Sequence, residues 1–246
     1  MLSNRMEAVV SMVSPQSFAV ADVGCDHAYV SIALVERGIA KKVIAMDVRK
    51  GPLAIAAGNV KAANLEGTIE LRLSDGFNKL VPGEVDTVII AGMGGLLIKS
   101  ILEQGKPVLS AEKPPVLILQ PQSDLDVVRI FLYSNAYHIV QETMLIEDGK
   151  YYTVMRAEPG SCVTDYNQAD WEYGRYNLEN RDKILLEFLV KEQKQLLKIK
   201  DSICGNVSSD TEIAVHTKER LEEICRKLEE NQKVLKQYYG YGLQEG

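Results

Sequence analysis

The sequence lacks long hydrophobic runs and an excess of basic residues. None of its apolar runs approaches the roughly 18 residues that a membrane-spanning helix needs, so we expect no membrane contact. The N-terminal residues MLSNRMEAVVSMV include Glu7 and no long apolar core, which predicts an amphipathic helix and not a signal peptide. The net charge of −6 gives the whole molecule no general attraction for nucleic acid, although local basic patches are compatible with it.

Cysteine and histidine are also sparse. The histidines at 27, 138 and 216 show no spacing of metal ligands, and no C-x-x-C pair occurs among the four cysteines: Cys25, Cys162, Cys204 and Cys225. Scattered, unpaired cysteines are typical of a reducing compartment. We therefore expect a cytoplasmic protein that binds no metal.

Up to about residue 158, short apolar runs rich in β-branched residues alternate with helical segments. The predicted strands are 17–23, 41–48, 68–73, 85–92, 115–120, 138–146 and 151–158. Between the first five lie the predicted helices 28–37, 52–63, 94–104 and 124–134. Near-continuous apolar strands separated by helices predict a mostly parallel α/β sheet with helices on both faces.

The last two predicted strands break this alternation. Glu147-Asp148-Gly149 between them is a hairpin signal, so one strand of the sheet should run antiparallel. A seven-stranded sheet with such a terminal hairpin is a Rossmann-like, methyltransferase-type variant of the doubly wound fold. The alternative is an edge hairpin added to some other α/β domain.

The chain changes character near residue 160. Two segments rich in Leu, Lys and Glu, 177–200 and 217–239, flank a polar connector at 202–212. The second has a heptad seam with one polar position, formed by Leu221, Ile224, Leu228, Asn231, Leu235 and Tyr238. We predict a domain at 1–160 and an antiparallel α-helical coiled-coil hairpin at 161–246. The seam could close within one chain or between chains, so a monomer or a weak homodimer is expected.

The stretch ADVGCDHAYV follows the first predicted strand and contains one glycine, Gly24, where a dinucleotide fingerprint would have three. Asp26 would repel a diphosphate, whereas the cationic sulfonium and ammonium groups of S-adenosylmethionine are compatible with an acidic turn. In the alternative interpretations, Asp26 only caps the following helix and His27 is a packed or capping residue.

Further acids follow the second and third predicted strands. Asp47 lies at the distance from Gly24 at which an acid binds ribose hydroxyls in nucleotide-binding sheets. Asp75 could accept from an adenine amine, while Gly76 lets the ring approach the backbone. Both would share the carboxyl edge of the sheet with Asp22, although each is also compatible with a simple turn.

Two motifs follow the fourth and fifth predicted strands. Gly92, Gly94 and Gly95 form a permissive turn, and Gln120-Pro121-Gln122 ends the next strand. Both motifs should lie where a substrate enters. Met93 could contact a cofactor, but a lone methionine is more often part of the core.

Together, DVGCDHAY, IIAGMGG, LILQPQ and EDGKYY resemble the bacterial tRNA N1-methyladenine methyltransferases that modify adenine 22, and the resemblance extends over the full length. It implies an S-adenosylmethionine cofactor with contacts similar to Asp22, Gly24, Asp47, Asp75 and Gly76. Asp26 resembles the acid near the target base, and Arg5 the N-terminal basic residue. AGMGG replaces the Asn-Pro-Pro-aromatic or Asp-Pro-Pro-aromatic motif of enzymes that methylate exocyclic amines, which suits a ring nitrogen.

We therefore predict methyl transfer from S-adenosylmethionine to N1 of adenine 22 in tRNA, with Asp26 as the catalytic residue. The predicted cofactor site also includes Cys25, His27, Val48, Ala91, Gly92 and Met93. The predicted tRNA contacts are Arg5, Gln120, Pro121, Lys191, Lys194 and Lys198; the three lysines share one helical face, which could equally be only a solvated surface. The alternatives are a methyltransferase acting on another RNA, a protein or a small molecule, and a non-catalytic coiled-coil adaptor.

Overall fold

The computed structural model describes residues 2–160, 165–205 and 211–241, without the side chains of residues 205 and 211–216. It separates into two units, Met1–Tyr166 and Asn167–Gly246. The sequence placed this boundary a few residues earlier, at 160. Cys162 and residues 206–210 of the predicted connector lie outside the described residues.

Seven strands form one mixed sheet in the first unit. They are Ser17–Val23 (β1), Ala40–Asp47 (β2), Ile69–Leu73 (β3), Thr87–Met93 (β4), Val116–Pro121 (β5), Tyr137–Glu147 (β6) and Lys150–Pro159 (β7). The order across the sheet is β3-β2-β1-β4-β5-β7-β6. Strands β1 to β5 pair in parallel, and β7 runs antiparallel to both β5 and β6. This confirms the predicted Rossmann-like sheet with an antiparallel last strand.

Helices cover both faces of the sheet. They are Asn4–Ser11 (α1), Tyr29–Glu36 (α2), Lys50–Ala62 (α3), Gly95–Gln104 (α4), Lys106–Leu109 (α5) and Leu125–Ser134 (α6). One hydrophobic cluster packs α1, α2 and α3 on one face, and a second packs α4, α5 and α6 on the other. The short α5 was not predicted from the sequence.

The central strands are apolar on both sides because both faces are covered. Val20 and Ile89 belong to the cluster under α1, α2 and α3, whereas their neighbours Ala21 and Ile90 belong to the opposite one. Side chains of successive strand residues point to opposite faces. A strand that is buried on both faces of the sheet therefore appears in the sequence as a near-continuous apolar run.

A tight hairpin joins β6 to β7. Its two loop residues are Asp148 and Gly149, and Glu147 pairs with Lys150 beside them. Both loop residues have positive φ values, 50° and 73°, as a type I′ turn requires. The predicted turn thus directs β7 back along the sheet, where it pairs with β5.

The second unit is helical. It contains a π-helical turn, Asp170–Gly174, followed by Arg175–Glu179 (α7), Lys183–Gly205 (α8) and Thr211–Tyr239 (α9). The prediction of one helix through 177–200 is wrong, because the chain breaks after α7 and Arg181 adopts a positive φ of 50°. Asp182 Oδ1 then accepts from the backbone amides of Ile184 and Leu185 at 2.8 and 2.9 Å and caps α8. α8 also continues to 205, into the predicted connector.

Helices α8 and α9 pack as an antiparallel pair. Tyr239 Oη donates to the Asp182 carbonyl at 2.9 Å, and Asn231 Nδ2 donates to the Leu189 carbonyl at 3.0 Å farther along. The buried residues of the predicted α9 seam are Ile224, Leu228, Asn231 and Leu235. The seam therefore closes between two helices of the same chain.

Candidate active site

A cavity of about 530 Å³ opens at the carboxyl ends of β1 to β5. Every site residue predicted in the first unit lines it, except Pro121, which is the buried last residue of β5. The predicted tRNA contacts of the second unit, Lys191, Lys194 and Lys198, are exposed on α8. The cavity thus brings together residues that are distant in the sequence, as expected for the carboxyl edge of a parallel sheet.

The turn after β1 forms the middle of the cavity. The amides of Gly24 and Cys25 donate to the Met46 carbonyl at 2.8 and 2.9 Å, which ties this turn to β2. Gly24 has φ +76°, and a Cβ there would collide with the methyl group of Met93. The positive φ is the reason that position 24 requires glycine, because the flexible end of the Met93 side chain could move away from a Cβ. Met93 lines the cavity and also packs against the core.

Asp26 and His27 stand at the rim of the cavity. The cap position of α2 is Ala28, with no side-chain capping bond, so the interpretation of Asp26 as a helix cap is wrong. The Asp26 side chain is 61% exposed, and its Oδ1 lies 3.7 Å from His27 Nε2. The His27 ring meets Tyr29 edge-on at 5.9 Å between centroids. Asp26 therefore retains a carboxylate that a ligand can reach.

Asp22 is a buried acid at the end of β1. Its Oδ2 accepts from Ser31 Oγ at 2.6 Å. Burial raises the pKa of Asp22 to about 6, because the hydrogen bond from Ser31 offsets only part of the desolvation of the carboxylate and the nearby charge of Asp47 opposes ionisation. A cation that enters the cavity would relieve this penalty. Burial, and after it the charges of Asp22 and Asp47, raise the pKa of the Cys25 thiol, which stays protonated.

Asp47 and Asp75 occupy the β2 and β3 side of the cavity. Asp47 is buried, and its Oδ1 accepts from the Arg49 amide at 2.8 Å. Among the residues that the structure describes, Oδ2 has no partner and is available for a hydroxyl group. Asp75 is exposed in the turn after β3, which Ser74 stabilises by donating to the Gly76 carbonyl at 3.0 Å.

The opposite side of the cavity is formed by β4 and β5. Gly92 lies at an irregularity in their pairing and has φ +77°. Its amide donates at 3.1 Å to Gln120 Oε1, which also accepts from Arg5 Nη1 at 3.2 Å. The Gln120 side chain is 0% exposed, and its amide nitrogen donates to the Pro121 carbonyl at 3.1 Å. Gln120 therefore acts as part of the wall, with its oxygen already shared by two donors.

Arg5 is held at the start of α1. Its backbone amide donates to Glu147 Oε1 at 3.2 Å, and its guanidinium group lies 5.3 Å from the centre of the Tyr152 ring. The Arg5 Nε atom is buried without a hydrogen bond, 3.6 Å from Glu147 Oε2. The last residue of β6 thus helps to fix a cation that lines the cavity.

Further residues line the cavity beyond those predicted, among them Tyr29, Leu97 and Gln122. All three side chains are exposed, with 47% of Tyr29 and 54% of Leu97 accessible to solvent. Tyr29 and Gln122 belong to the motifs DHAY and LILQPQ. Their position next to predicted site residues is the sequence feature that could have identified them. Leu97 offered none, because an apolar residue in an amphipathic helix is usually part of the core.

Within the described ranges, no group of three or more His, Cys, Asp and Glu side chains could hold a metal ion. A helix apolar and long enough to cross a membrane is likewise absent from the described residues. The polar side chains that line the cavity include those of four aspartates, two glutamines, Arg5 and His27.

Comparison with known proteins agrees with the fold and the cavity. The family described as "Methyltransferase domain" matches residues 2–155. The sheet order, the antiparallel last strand and the acidic cavity at the strand ends thus define the class of the protein as a methyltransferase.

More specific similarity covers nearly the whole chain. The tRNA (adenine(22)-N(1))-methyltransferase of Bacillus subtilis is 33% identical over 93% of this chain and 94% of its own length. The crystal structure of the B. subtilis M1A22 tRNA methyltransferase TrmK has a TM-score of 0.81 at 29% identity, over 96% of this chain and 99% of that one. M. capricolum TrmK, solved with S-adenosyl-homocysteine, has a TM-score of 0.75 at 27% identity, over 93% and 98%. The chain belongs to the tRNA (adenine(22)-N(1))-methyltransferase family.

Proposed function

We propose that this protein transfers a methyl group from S-adenosylmethionine to N1 of adenine 22 in tRNA. The observation that carries the proposal is the acidic cavity, in which Asp22, Asp26 and Asp47 surround the turn at Gly24. A cavity of about 530 Å³ is within the usual range for a small-molecule site. Its carboxylates suit a cationic cofactor and would repel a diphosphate.

Different residues of the cavity would contact different parts of the cofactor. Asp47 Oδ2 can accept from a ribose hydroxyl, and Asp75 can accept from the adenine amine. Asp22 provides negative charge for the cationic methionine portion. When bound, S-adenosylmethionine supplies an electrophilic methyl group.

The chain has to orient the target base. Adenine N1 attacks with its own lone pair, so no general base is needed, and alignment of the reacting atoms can contribute several kcal/mol. Asp26 can accept from the N6 amine, which orients the ring and offsets the positive charge that develops on it. A paired or stacked adenine hides N1, so the base must leave its helix first.

The helical unit is proposed as the main tRNA-binding surface. Lys191, Lys194 and Lys198 are exposed along α8, and such lysines can neutralise phosphates. The α8–α9 seam closes within the chain, which supports a monomer as the working form.

Methyl transfer from radiolabelled S-adenosylmethionine to unmodified tRNA tests this function. We expect the label to enter a tRNA with adenine at position 22, and not the same tRNA carrying guanine there. Equal labelling of both would contradict the assigned target.

A further inference from the structure

We propose that Gln122 reads the Hoogsteen edge of the target adenine, with its amide oxygen accepting from N6 and its amide nitrogen donating to N7. This inference rests on the proposed function and assigns base recognition to one residue. It concerns the selection of the base, whereas Asp26 acts on the reacting edge.

The backbone of Gln122 is fixed at the mouth of the cavity. Its amide donates to the Met93 carbonyl at 2.8 Å, and the next residue, Ser123, accepts from the Gly95 amide at 3.0 Å. Two successive backbone contacts therefore tie the loop after β5 to the loop after β4. The position from which the Gln122 side chain extends is well defined.

The side chain of Gln122 is available for a ligand. It is exposed, lines the cavity and has no hydrogen-bond partner in the part of the chain that the structure describes. Gln120 differs, because it is fully buried and its amide is bonded to Arg5, Gly92 and Pro121. Of the two glutamines in the QPQ motif, Gln122 is the one that can recognise a base.

The side chains of Arg5 and Gln122 meet above Gly92, on the wall of the cavity. A Cβ at Gly92 would lie 3.4 Å from Arg5 Nη1 and 3.9 Å from Gln122 Nε2, so the two side chains flank the same point. This point is on the β4 and β5 side of the cavity, whereas Asp47 ends β2, on the other side of β1. The cofactor nucleoside and the target base can therefore occupy opposite sides.

The reaction determines which edge of the base is free for recognition. N1 belongs to the Watson–Crick edge, and its lone pair must face the methyl group. That edge therefore has little room for a further side chain that recognises the base. The N6 amine has two hydrogens, one beside N1 for Asp26 and one beside N7. A glutamine amide matches N6–H and N7 of adenine with two hydrogen bonds.

The same amide discriminates against the other bases. Guanine has two acceptors on this edge, O6 and N7. A single amide offers one donor group and one acceptor group, so its oxygen would face an acceptor in either orientation. Pyrimidines have no N7. Gln122 thus favours adenine without contacting N1.

The test is a double-mutant cycle between Gln122 and N7 of the base. Wild-type protein, Gln122→Ala and Gln122→Glu are assayed for kcat/KM on tRNA with adenine or 7-deazaadenine at the target position. Gln141→Ala, which removes an exposed glutamine on β6, is the matched control. Replacing N7 by carbon changes the intrinsic reactivity of N1 equally for every enzyme, so only differences between enzymes report on Gln122.

We expect Gln122→Ala to lower kcat/KM on adenine by roughly tenfold to a hundredfold, with unchanged cofactor affinity. The penalty for 7-deazaadenine is the factor by which kcat/KM falls when it replaces adenine. This penalty should be at least about fivefold larger for the wild-type and Gln141→Ala proteins than for Gln122→Ala. Gln122→Glu, which cannot donate to N7, should also lose this penalty. Equal penalties in all four proteins would overturn the assignment of Gln122. Failure of the wild-type protein to methylate the adenine tRNA would instead refute the proposed function.

Discussion

At the scale of single residues, the site depends on carboxylates in two different environments. Asp22 is buried and ionises with difficulty, whereas Asp26 is exposed. The first can respond to the charge of a bound cation, and the second can contact a substrate that arrives from solvent. The two acids therefore lead to separate predictions.

Cofactor affinity should depend on pH through Asp22. Its pKa in the free protein is about 6, and a cationic ligand favours the ionised form, so binding must release a proton below this pH. We expect the affinity for S-adenosylmethionine to fall about tenfold between pH 7 and pH 5. Isothermal titration calorimetry at both pH values measures it. Asp22→Asn should bind more weakly at pH 7 and lose this pH dependence; equal wild-type affinities at pH 7 and pH 5 would contradict the role of Asp22.

Substitution of Asp26 should affect the reaction more than cofactor binding. Asp26→Asn removes the charge that offsets the developing cation on the base, and we expect kcat to fall by roughly 100-fold. Asp148→Asn is a matched control, because Asp148 is also an exposed aspartate with a φ of 50°. Single-turnover rates and cofactor titrations separate the two effects. Full turnover by Asp26→Asn would remove Asp26 from the mechanism.

Some roles of single residues in the site could be predicted from the sequence, and others could not. The acids at the strand ends were predictable, because a parallel sheet gathers them at one edge. The different roles of Gln120 and Gln122 were not, because two glutamines two positions apart share one face of a strand. Only the position at which β5 ends decides that one is buried and the other exposed.

At the scale of elements, a buried ion pair joins α6 to β6. Arg129 Nε lies 2.9 Å from Glu142 Oε1, and both side chains are 1% exposed. Burial raises the pKa of Glu142 despite the neighbouring guanidinium group. Burying the pair therefore has a high free-energy cost of desolvation, and removing one of its two charges destabilises the fold further.

Arg129→Met should lower the free energy of unfolding by about 3–5 kcal/mol, because it removes the guanidinium group that is ion-paired with a buried carboxyl group. The double variant Arg129→Met/Glu142→Leu should recover most of this loss, since no buried charge remains. Urea unfolding of the three proteins measures both values. A double variant less stable than Arg129→Met would contradict this interpretation.

The elements of the first unit follow from the sequence more closely than those of the second. Strands buried on both faces, bounded by Gly, Pro and Asp, gave strong signals, and all seven were found within a few residues. The break between α7 and α8 has neither glycine nor proline. It depends on the positive φ of Arg181 and the cap at Asp182, which local propensity does not reveal.

At the scale of the whole molecule, the two units should have separable tasks. A chain ending at Tyr166 keeps every residue of the cavity. We expect it to bind S-adenosylmethionine within about twofold of the full chain and tRNA at least about tenfold more weakly, because the phosphate contacts are lost. Filter binding measures the tRNA affinity. Retention of full tRNA affinity would contradict the proposed role of the helical unit.

Within the full chain, replacing Lys191, Lys194 and Lys198 together by Gln should reduce the salt dependence of tRNA binding. Each lost phosphate contact lowers the slope of log K against log salt by about 0.9 on a duplex. Lys233→Gln/Lys236→Gln, which changes exposed lysines of α9, is the control. A slope unchanged by the triple variant would show that these lysines are only a solvated surface.

The central claim is that this cavity directs the methyl group to a ring nitrogen of one tRNA adenine. The most direct measurement is mass spectrometry of nucleosides from unmodified tRNA after reaction with the protein and S-adenosylmethionine. The account predicts 1-methyladenosine, at about one per tRNA, and its loss when adenine 22 is replaced. N6-methyladenosine as the product, or 1-methyladenosine that persists after that replacement, would contradict it.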